Sequence, residues 1–237
     1  MKLGVGYFAE KAIQFYQNLE LSSSLPEGVE VMNPYLFSPV GSILDSFFYA
    51  YFDDDRPRTG ILGINPGRMG AGITGITFTD PVKLDEVCDI RNPFKKRAEL
   101  SSTFVYDVIK AYGGAEKFYG EFFLSAVSPL GFMKDEKNLN YYDERELEEA
   151  LHDFILSTLK EQIGLGMRSD RVICLGEGKN FKYLSRLNKE EKLFGEIIHL
   201  PHPRWVMQYR YKRREEFVNR YLEVLRSGPG QGKQHAG

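Results

Sequence analysis

The chain has 237 residues, of which 42% are hydrophobic and 27% charged, and its formal net charge is −2. This length suits one large α/β domain with a sizeable core. The nearly balanced charge excludes a protein that binds polyanions over its whole surface, so any nucleic-acid surface must be local. The two cysteines, Cys88 and Cys174, exclude a four-cysteine zinc or iron–sulfur site. We expect them to be free thiols in a reducing cytoplasm.

Two features of the chain predict where the protein resides. No apolar run approaches the roughly 20 residues that a membrane span requires, and the N-terminus lacks a signal-peptide core. We therefore expect a cytoplasmic protein that does not contact membranes. Residues 1–226 contain no repeat or internal linker and predict a single domain, whereas the glycine-rich residues 227–237 predict a disordered tail.

Helices and strands alternate along the chain. Helical spacing of apolar residues predicts helices over residues 7–20, 43–52, 101–114, 143–163, 178–188 and 210–226. Short apolar runs predict buried strands over residues 59–65, 121–130, 171–177 and 196–203. This alternation predicts a mostly parallel sheet with helices on both faces. Ligands of such sheets bind beyond the carboxyl ends of the strands.

The stretch "GINPGRMGAGITGITFTDP", residues 63–81, follows the first predicted strand. Asn65 ends that strand, so its amide is aimed into the edge crevice, and Gly67 leaves space beside it. Phe78 offers a flat face for stacking. The stretch lacks the Gly-Lys-Ser/Thr of a Walker loop and opens no helix of the dinucleotide-binding type. A plain strand-to-loop turn is the alternative interpretation.

The second unusual stretch is "LPHPRWVMQYRYKRR", residues 200–214. His202 stands between two prolines directly after a predicted strand. Five basic residues and no acidic residue follow from 204 to 214, with aromatic residues between them. Cations and aromatic rings together suit a nucleic-acid backbone and its bases. A structural histidine and a solvated helix start are the alternatives.

Together the two stretches resemble the uracil-DNA glycosylase superfamily. The likeness is strongest to its single-strand-selective monofunctional (SMUG) branch, in particular the bacterial relatives of the second SMUG type. The resemblance implies a three-layer α/β/α sandwich with a central four-stranded parallel sheet. It also implies a monofunctional DNA glycosylase that hydrolyses the N-glycosidic bond of a damaged base flipped out of the DNA stack.

The resemblance implies a role for each residue of the two stretches. Asn65 would position the attacking water, and His202 would donate a hydrogen bond to O2 of the departing base. Phe78 would stack on that base. Gly67 stands where the uracil-only branch carries a bulky tyrosine, so 5-substituted uracils should fit. Backbone contacts to the base would come from Gly63 and Ile64.

DNA contacts are implied for the segment after His202. Arg204 and Arg210 would hold phosphates. The candidates for the wedge that enters the duplex are Trp205, Met207, Gln208 and Tyr209. Met69, in the first stretch, is a further candidate DNA contact.

The sequence departs from the SMUG pattern in the second predicted strand. Ala126 falls where that branch has an asparagine that reads the uracil edge, and Ser125, Ser128 or backbone amides could substitute for it. The extra space also admits xanthine and hypoxanthine beside uracil. The second stretch reads His-Pro-Arg-Trp where the family usually has His-Pro-Ser-Pro. Neither stretch contains a lysine placed as an amine nucleophile, so we expect no lyase step and no metal or other cofactor.

Other interpretations stay open at this point. The mismatch-specific branch shares the "GINPG" loop but typically has asparagine at the position of His202. A catalytically silent DNA-binding module and a hydrolase of free nucleosides are the other two. Asp80 could assist catalysis, although a helix N-cap is favoured. The expected partner is single- or double-stranded DNA with damaged bases, bound by a monomer.

Overall fold

The computed structural model describes residues 7–227, so the predicted tail lies outside the described residues except for Ser227. The helices are α1 (Phe8–Gln17), α2 (Ser38–Phe52), α3 (Ala71–Thr74), α4 (Pro81–Glu86), α5 (Leu100–Tyr112), α6 (Ala115–Glu121), α7 (Arg145–Leu165), α8 (Lys179–Glu191), α9 (Pro203–Tyr209) and α10 (Arg214–Arg226). The strands are β1 (Glu30–Met32), β2 (Arg58–Gly63), β3 (Phe122–Ala126), β4 (Gly131–Lys134), β5 (Lys137–Leu139), β6 (Met167–Leu175) and β7 (Glu196–Leu200).

The central sheet has four parallel strands in the order β3-β2-β6-β7, flanked by helices. This confirms the predicted α/β/α fold. The strands are apolar because helices bury both faces of the sheet. The pairs Gly63↔Ala126 and Leu175↔Leu200 bring the carboxyl ends of all four strands to one edge. Both predicted stretches begin at that edge.

A second, antiparallel sheet of three short strands, in the order β1-β4-β5, was not predicted from the sequence. Strands β4 and β5 form a hairpin over residues 131–139. Its turn residues, Asp135 and Glu136, have φ values of 50° and 58°. The hairpin lies against the Asn-Pro-Gly loop: a Cβ at Gly131 would be 2.6 Å from the carbonyl oxygen of Pro66.

Four helices, α3, α4, α6 and α9, are further additions to the six predicted ones. Helix α6 precedes β3, and helix α9 occupies the segment after His202. Helix α9 forms because His202 caps its N-terminus and Pro203 occupies its first position. Within residues 7–227, every helix is too short or too polar to cross a membrane.

Candidate active site

An open groove of about 830 Å³ lies at the carboxyl ends of β2 and β3 and extends along α9. It brings together Asn65, Phe78 and His202, which are far apart in the sequence. Of the other predicted site residues, Gly63, Ile64, Gly67, Met69, Ala126, Arg204, Trp205, Gln208 and Tyr209 also line it.

The Asn65 side chain is fixed by the backbone that follows the hairpin. Its Nδ2 donates to the carbonyl oxygen of Leu139 at 3.2 Å, and its Oδ1 accepts from the N–H of Tyr141 at 3.1 Å. Because both ends of the amide are held, its orientation is set in advance. Nδ2 also makes a longer contact with the Pro66 carbonyl oxygen at 3.4 Å, so the second lone pair of Oδ1 remains to orient a water molecule.

A buried polar chain supports this arrangement from behind. The Tyr141 hydroxyl donates to Oδ1 of Asn180 at 2.7 Å. Nδ2 of Asn180 donates to the Leu175 carbonyl at 3.0 Å and approaches that of Gly63 at 3.4 Å. Tyr141 and Asn180 are 0% and 1% exposed, so these hydrogen bonds are shielded from water. They link the end of β2 to the segment that holds Asn65.

Phe78 lies close to both His202 and the end of β2. Its φ of 55° is unusual for a bulky residue and turns its ring across the end of the strand. A Cβ at Gly63 would be 2.8 Å from the Phe78 ring, so only glycine permits this packing. The ring centroids of Phe78 and His202 are 5.8 Å apart. A planar ligand stacked on Phe78 would therefore lie beside the imidazole.

The protonation state of His202 follows from its position as N-cap. Nδ1 accepts from the backbone N–H of Arg204 at 3.2 Å, so in the neutral ring the proton is on Nε2. Burial, and then the charge of Arg204, lower the pKa of His202 from 6.5 to about 4. The ring is thus neutral at pH 7 and presents an N–H donor at Nε2.

A family model of the uracil DNA glycosylase superfamily matches residues 49–226, which is most of the chain. The chain belongs to the uracil-DNA glycosylase superfamily. It is 42% identical to the crystal structure of wild-type Pedobacter heparinus SMUG2, with a TM-score of 0.90 over 92% of this chain and 96% of that one. No curated protein matches the chain. The predicted likeness to the second SMUG type is confirmed, and the protein is a DNA glycosylase, a hydrolase of N-glycosyl bonds.

Helix α9 presents a polar and aromatic face to the groove of this glycosylase. Trp205 is 38% exposed and Tyr209 is 65% exposed. Arg210 does not line the groove, but its guanidinium stacks 4.9 Å from the Trp205 ring centroid. Met207 is only 8% exposed, because the helical period turns it toward the core with Val206. Met207 is therefore not available as a wedge, contrary to the prediction.

The two neighbouring residues Ser125 and Ala126 face opposite ways. Ala126 lines the groove, whereas the Ser125 hydroxyl is fully buried and lies 3.2 Å from the Tyr16 hydroxyl. Ser125 thus cannot replace the missing edge reader, contrary to the prediction. Ser128 is also buried, and its hydroxyl donates to the Leu130 carbonyl at 2.9 Å. Neither serine hydroxyl substitutes for the absent asparagine.

Asp80 lies at the start of α4, where it acts as the N-cap. Its carboxylate accepts from the N–H groups of Val82 and Lys83 at 2.9 Å each and from that of Glu99 at 2.8 Å. These bonds occupy the carboxylate, and the residue is 0% exposed. The favoured N-cap interpretation is confirmed.

Sequence reasoning missed two parts of the groove wall. One is the hairpin and its continuation, which contribute Lys137, Asn138 and Asn140. The other is the start of α5, which contributes Arg97, Ala98, Glu99, Leu100 and Ser101. The alternating "GFMK" and "KNL" around two polar residues is the only local signal of the hairpin.

Proposed function

We propose that this glycosylase is monofunctional and excises uracil, 5-substituted uracils and xanthine from DNA. Its superfamily supports the reaction class. The substrate range is supported by the small side chains along the groove. Gly67 and Ala126 leave space where a tyrosine and an asparagine would otherwise restrict the base.

The hydrogen bond from the Arg204 N–H to Nδ1 of His202, which assigns the proton of the neutral ring to Nε2, is the observation that carries the proposal. Heterolysis of the bond between C1′ and the base leaves the electron pair on the base, where charge develops at O2. A neutral imidazole with its proton on Nε2 donates a hydrogen bond to that oxygen without first having to ionise. Loss of one such donor typically lowers kcat by roughly 10²- to 10³-fold.

Asn65 contributes positioning rather than base strength. An amide cannot deprotonate water, and no carboxylate occupies this position in the loop. The reaction therefore proceeds through an oxocarbenium-like sugar, which a water molecule held by Asn65 then attacks at C1′, and the proton that this water loses neutralises the departed base anion. Pre-orientation of that amide by Leu139 and Tyr141 reduces the entropic cost of the attack.

The rims of the groove are suited to DNA. Arg204 is in α9, Arg97 precedes α5, and Arg68 and Lys137 belong to the loop and the hairpin. Cations on several elements around the groove suit phosphates that flank a flipped nucleotide. Among the exposed candidates, Tyr209 has the largest solvent-accessible aromatic surface in α9, and we propose it as the wedge.

A base-excision panel tests this proposal. Single- and double-stranded oligonucleotides would carry uracil, 5-hydroxymethyluracil, xanthine, hypoxanthine or thymine opposite guanine, and alkali would reveal abasic sites. We expect excision of uracil, 5-hydroxymethyluracil and xanthine, and its loss in His202→Ala. Excision of mismatched thymine alone would instead support the mismatch-specific reaction. Failure to excise any of these bases would refute the proposal.

A further inference from the structure

Asn138 lies beside Gly67 in the groove wall. It belongs to β5, and its side chain lines the same groove as Asn65, Phe78 and His202. Its Nδ2 is 3.5 Å from the place where a Cβ on Gly67 would stand. The amide therefore borders the space that the missing side chain at Gly67 leaves open.

The orientation of the Asn138 amide is fixed by the neighbouring loop. Its Oδ1 accepts from the backbone N–H of Arg68 at 3.1 Å. The Arg68 guanidinium in turn donates to the Glu136 carbonyl at 2.6 Å, which ties the hairpin to the loop. Since a backbone N–H can only donate, Oδ1 must face Arg68 and Nδ2 must face away from it. Asn138 is exposed, so its Nδ2 faces the open groove.

The opposite wall offers no competing side chain. Ala126 has no polar side-chain atom, and its carbonyl is approached by Nε2 of Gln162 at 3.4 Å. The Ser125 hydroxyl is directed into the core toward Tyr16. A base in this groove would therefore meet the side-chain amide of Asn138 rather than one from β3.

The loop from Gly63 to Gly67 has the Phe78 ring at its start and the Asn138 amide at its end. Gly63 contacts Phe78, which lies beside His202, and Gly67 adjoins Asn138. In a pyrimidine, O4 is bound to C4, which adjoins C5, and C5 is the position that the open space at Gly67 would accommodate. A base stacked on Phe78 with C5 at this space would thus place O4 near Asn138.

We infer that Asn138 reads the flipped base by donating a hydrogen bond from Nδ2 to a keto oxygen, O4 of uracil or O6 of a deaminated purine. This inference rests on the proposed function. Deamination converts an exocyclic amino group into a keto group, so cytosine and adenine present a donor where the damaged bases present an acceptor. A fixed donor at Asn138 therefore favours uracil over cytosine and hypoxanthine over adenine, whereas xanthine and guanine both carry O6 and are not separated by it.

Binding to DNA that cannot be cleaved tests the inference directly. Oligonucleotides would carry a 2′-fluoroarabino nucleoside of either uracil or 2-pyrimidinone, which lacks O4. The wild-type chain should bind the uracil DNA roughly three- to tenfold more tightly, as expected for one hydrogen bond. Asn138→Ala should remove this preference and leave the affinity for 2-pyrimidinone DNA unchanged.

Asn138→Asp separates reading from mere support of the loop. A carboxylate still accepts from Arg68 N–H but cannot donate, so this variant should also lose the preference. Asn138 does not read the base if Asn138→Asp keeps the wild-type preference for uracil DNA, or if Asn138→Ala lowers the affinity for both DNAs equally. Excision of ordinary uracil by the wild-type chain is measured alongside. Its failure would refute the proposed function, whereas an unchanged preference beside normal excision would refute only the role of Asn138.

Discussion

Tyr141→Phe removes one hydroxyl group from the buried chain behind Asn65. The Tyr141 hydroxyl is the donor to Oδ1 of Asn180, at 2.7 Å. The substitution leaves the ring, its packing and the backbone N–H that binds Asn65 in place. It therefore tests whether these buried hydrogen bonds stabilise the fold and position the catalytic amide.

The expected loss follows from the burial of Asn180. Its side-chain oxygen would remain at a site that is 1% exposed, without a donor and without access to water. An unsatisfied buried carbonyl costs about 1–3 kcal/mol in the free energy of unfolding. For a chain of this size, that corresponds to a decrease of roughly 2–12 °C in melting temperature. We also expect the rate of uracil excision to fall by roughly three- to tenfold, because Asn65 is held less precisely.

Tyr183→Phe is a matched control for thermal unfolding and single-turnover excision. The Tyr183 ring packs against that of Tyr141 with centroids 4.9 Å apart. Its hydroxyl is buried without a partner among residues 7–227, and burial raises its pKa. Its removal should leave the melting temperature unchanged or raise it, with normal excision. Equal destabilisation by both substitutions would refute the reasoning, since it would show that the Tyr141–Asn180 bond has no special value.

Four further predictions concern His202, Gly67 and Lys137. Uracil excision should be independent of pH from about 8 to 5. It should fall near the His202 pKa of about 4, because protonation of Nδ1 breaks its hydrogen bond with the Arg204 N–H, which orients the ring. An acidic limb near pH 6.5 in the pH–rate profile would contradict this. The free energy of unfolding should also decrease as the pH falls from about 6.5 to 4, because His202 binds a proton more tightly in the unfolded chain than in the folded one. Gly67→Ala should excise normally, since its Cβ makes only an ordinary contact with Asn138, whereas Gly67→Tyr should reduce excision of 5-hydroxymethyluracil more than that of uracil in a competition assay. Borohydride should trap no covalent adduct with abasic DNA, although Lys137 lines the groove; a trapped adduct that disappears in Lys137→Ala would show a lyase step.

The central sheet could be predicted from the sequence because its strands carry unambiguous signals. Runs such as "TGILG" and "RVICL" are apolar, short and bounded by turn residues, as strands buried on both faces must be. Because parallel strands place their carboxyl ends at one edge, the meeting of Asn65 with His202 also followed from the pattern.

The hairpin could not be predicted because its signal is weak. Its strands have four and three residues, and its turn uses Asp135 and Glu136 with positive φ rather than the usual Asn-Gly. Its third partner, β1, is about 100 residues away in the sequence, so no local pattern shows the pairing. The clamp on Asn65 and the placement of Asn138 both depend on this hairpin.

Two site residues were misplaced for reasons of periodicity. Neighbouring residues of a strand point to opposite faces, so Ser125 and Ala126 could not both face the groove. The sequence did not predict a helix over residues 203–209, so Met207 stayed among the candidates for the wedge. In a helix, Met207 and Val206 turn inward while Trp205 and Gln208 face the groove.

Single-turnover excision of uracil, measured together with DNA affinity, tests the assigned roles of Asn65 and His202 most directly. The wild-type chain, Asn65→Ala and His202→Ala would be compared on the same uracil-containing duplex. We expect excision by each variant to fall by roughly 10²-fold or more, with DNA affinity within about threefold of the wild type. Excision at the wild-type rate in either variant would show that the reaction does not depend on the residue assigned to it.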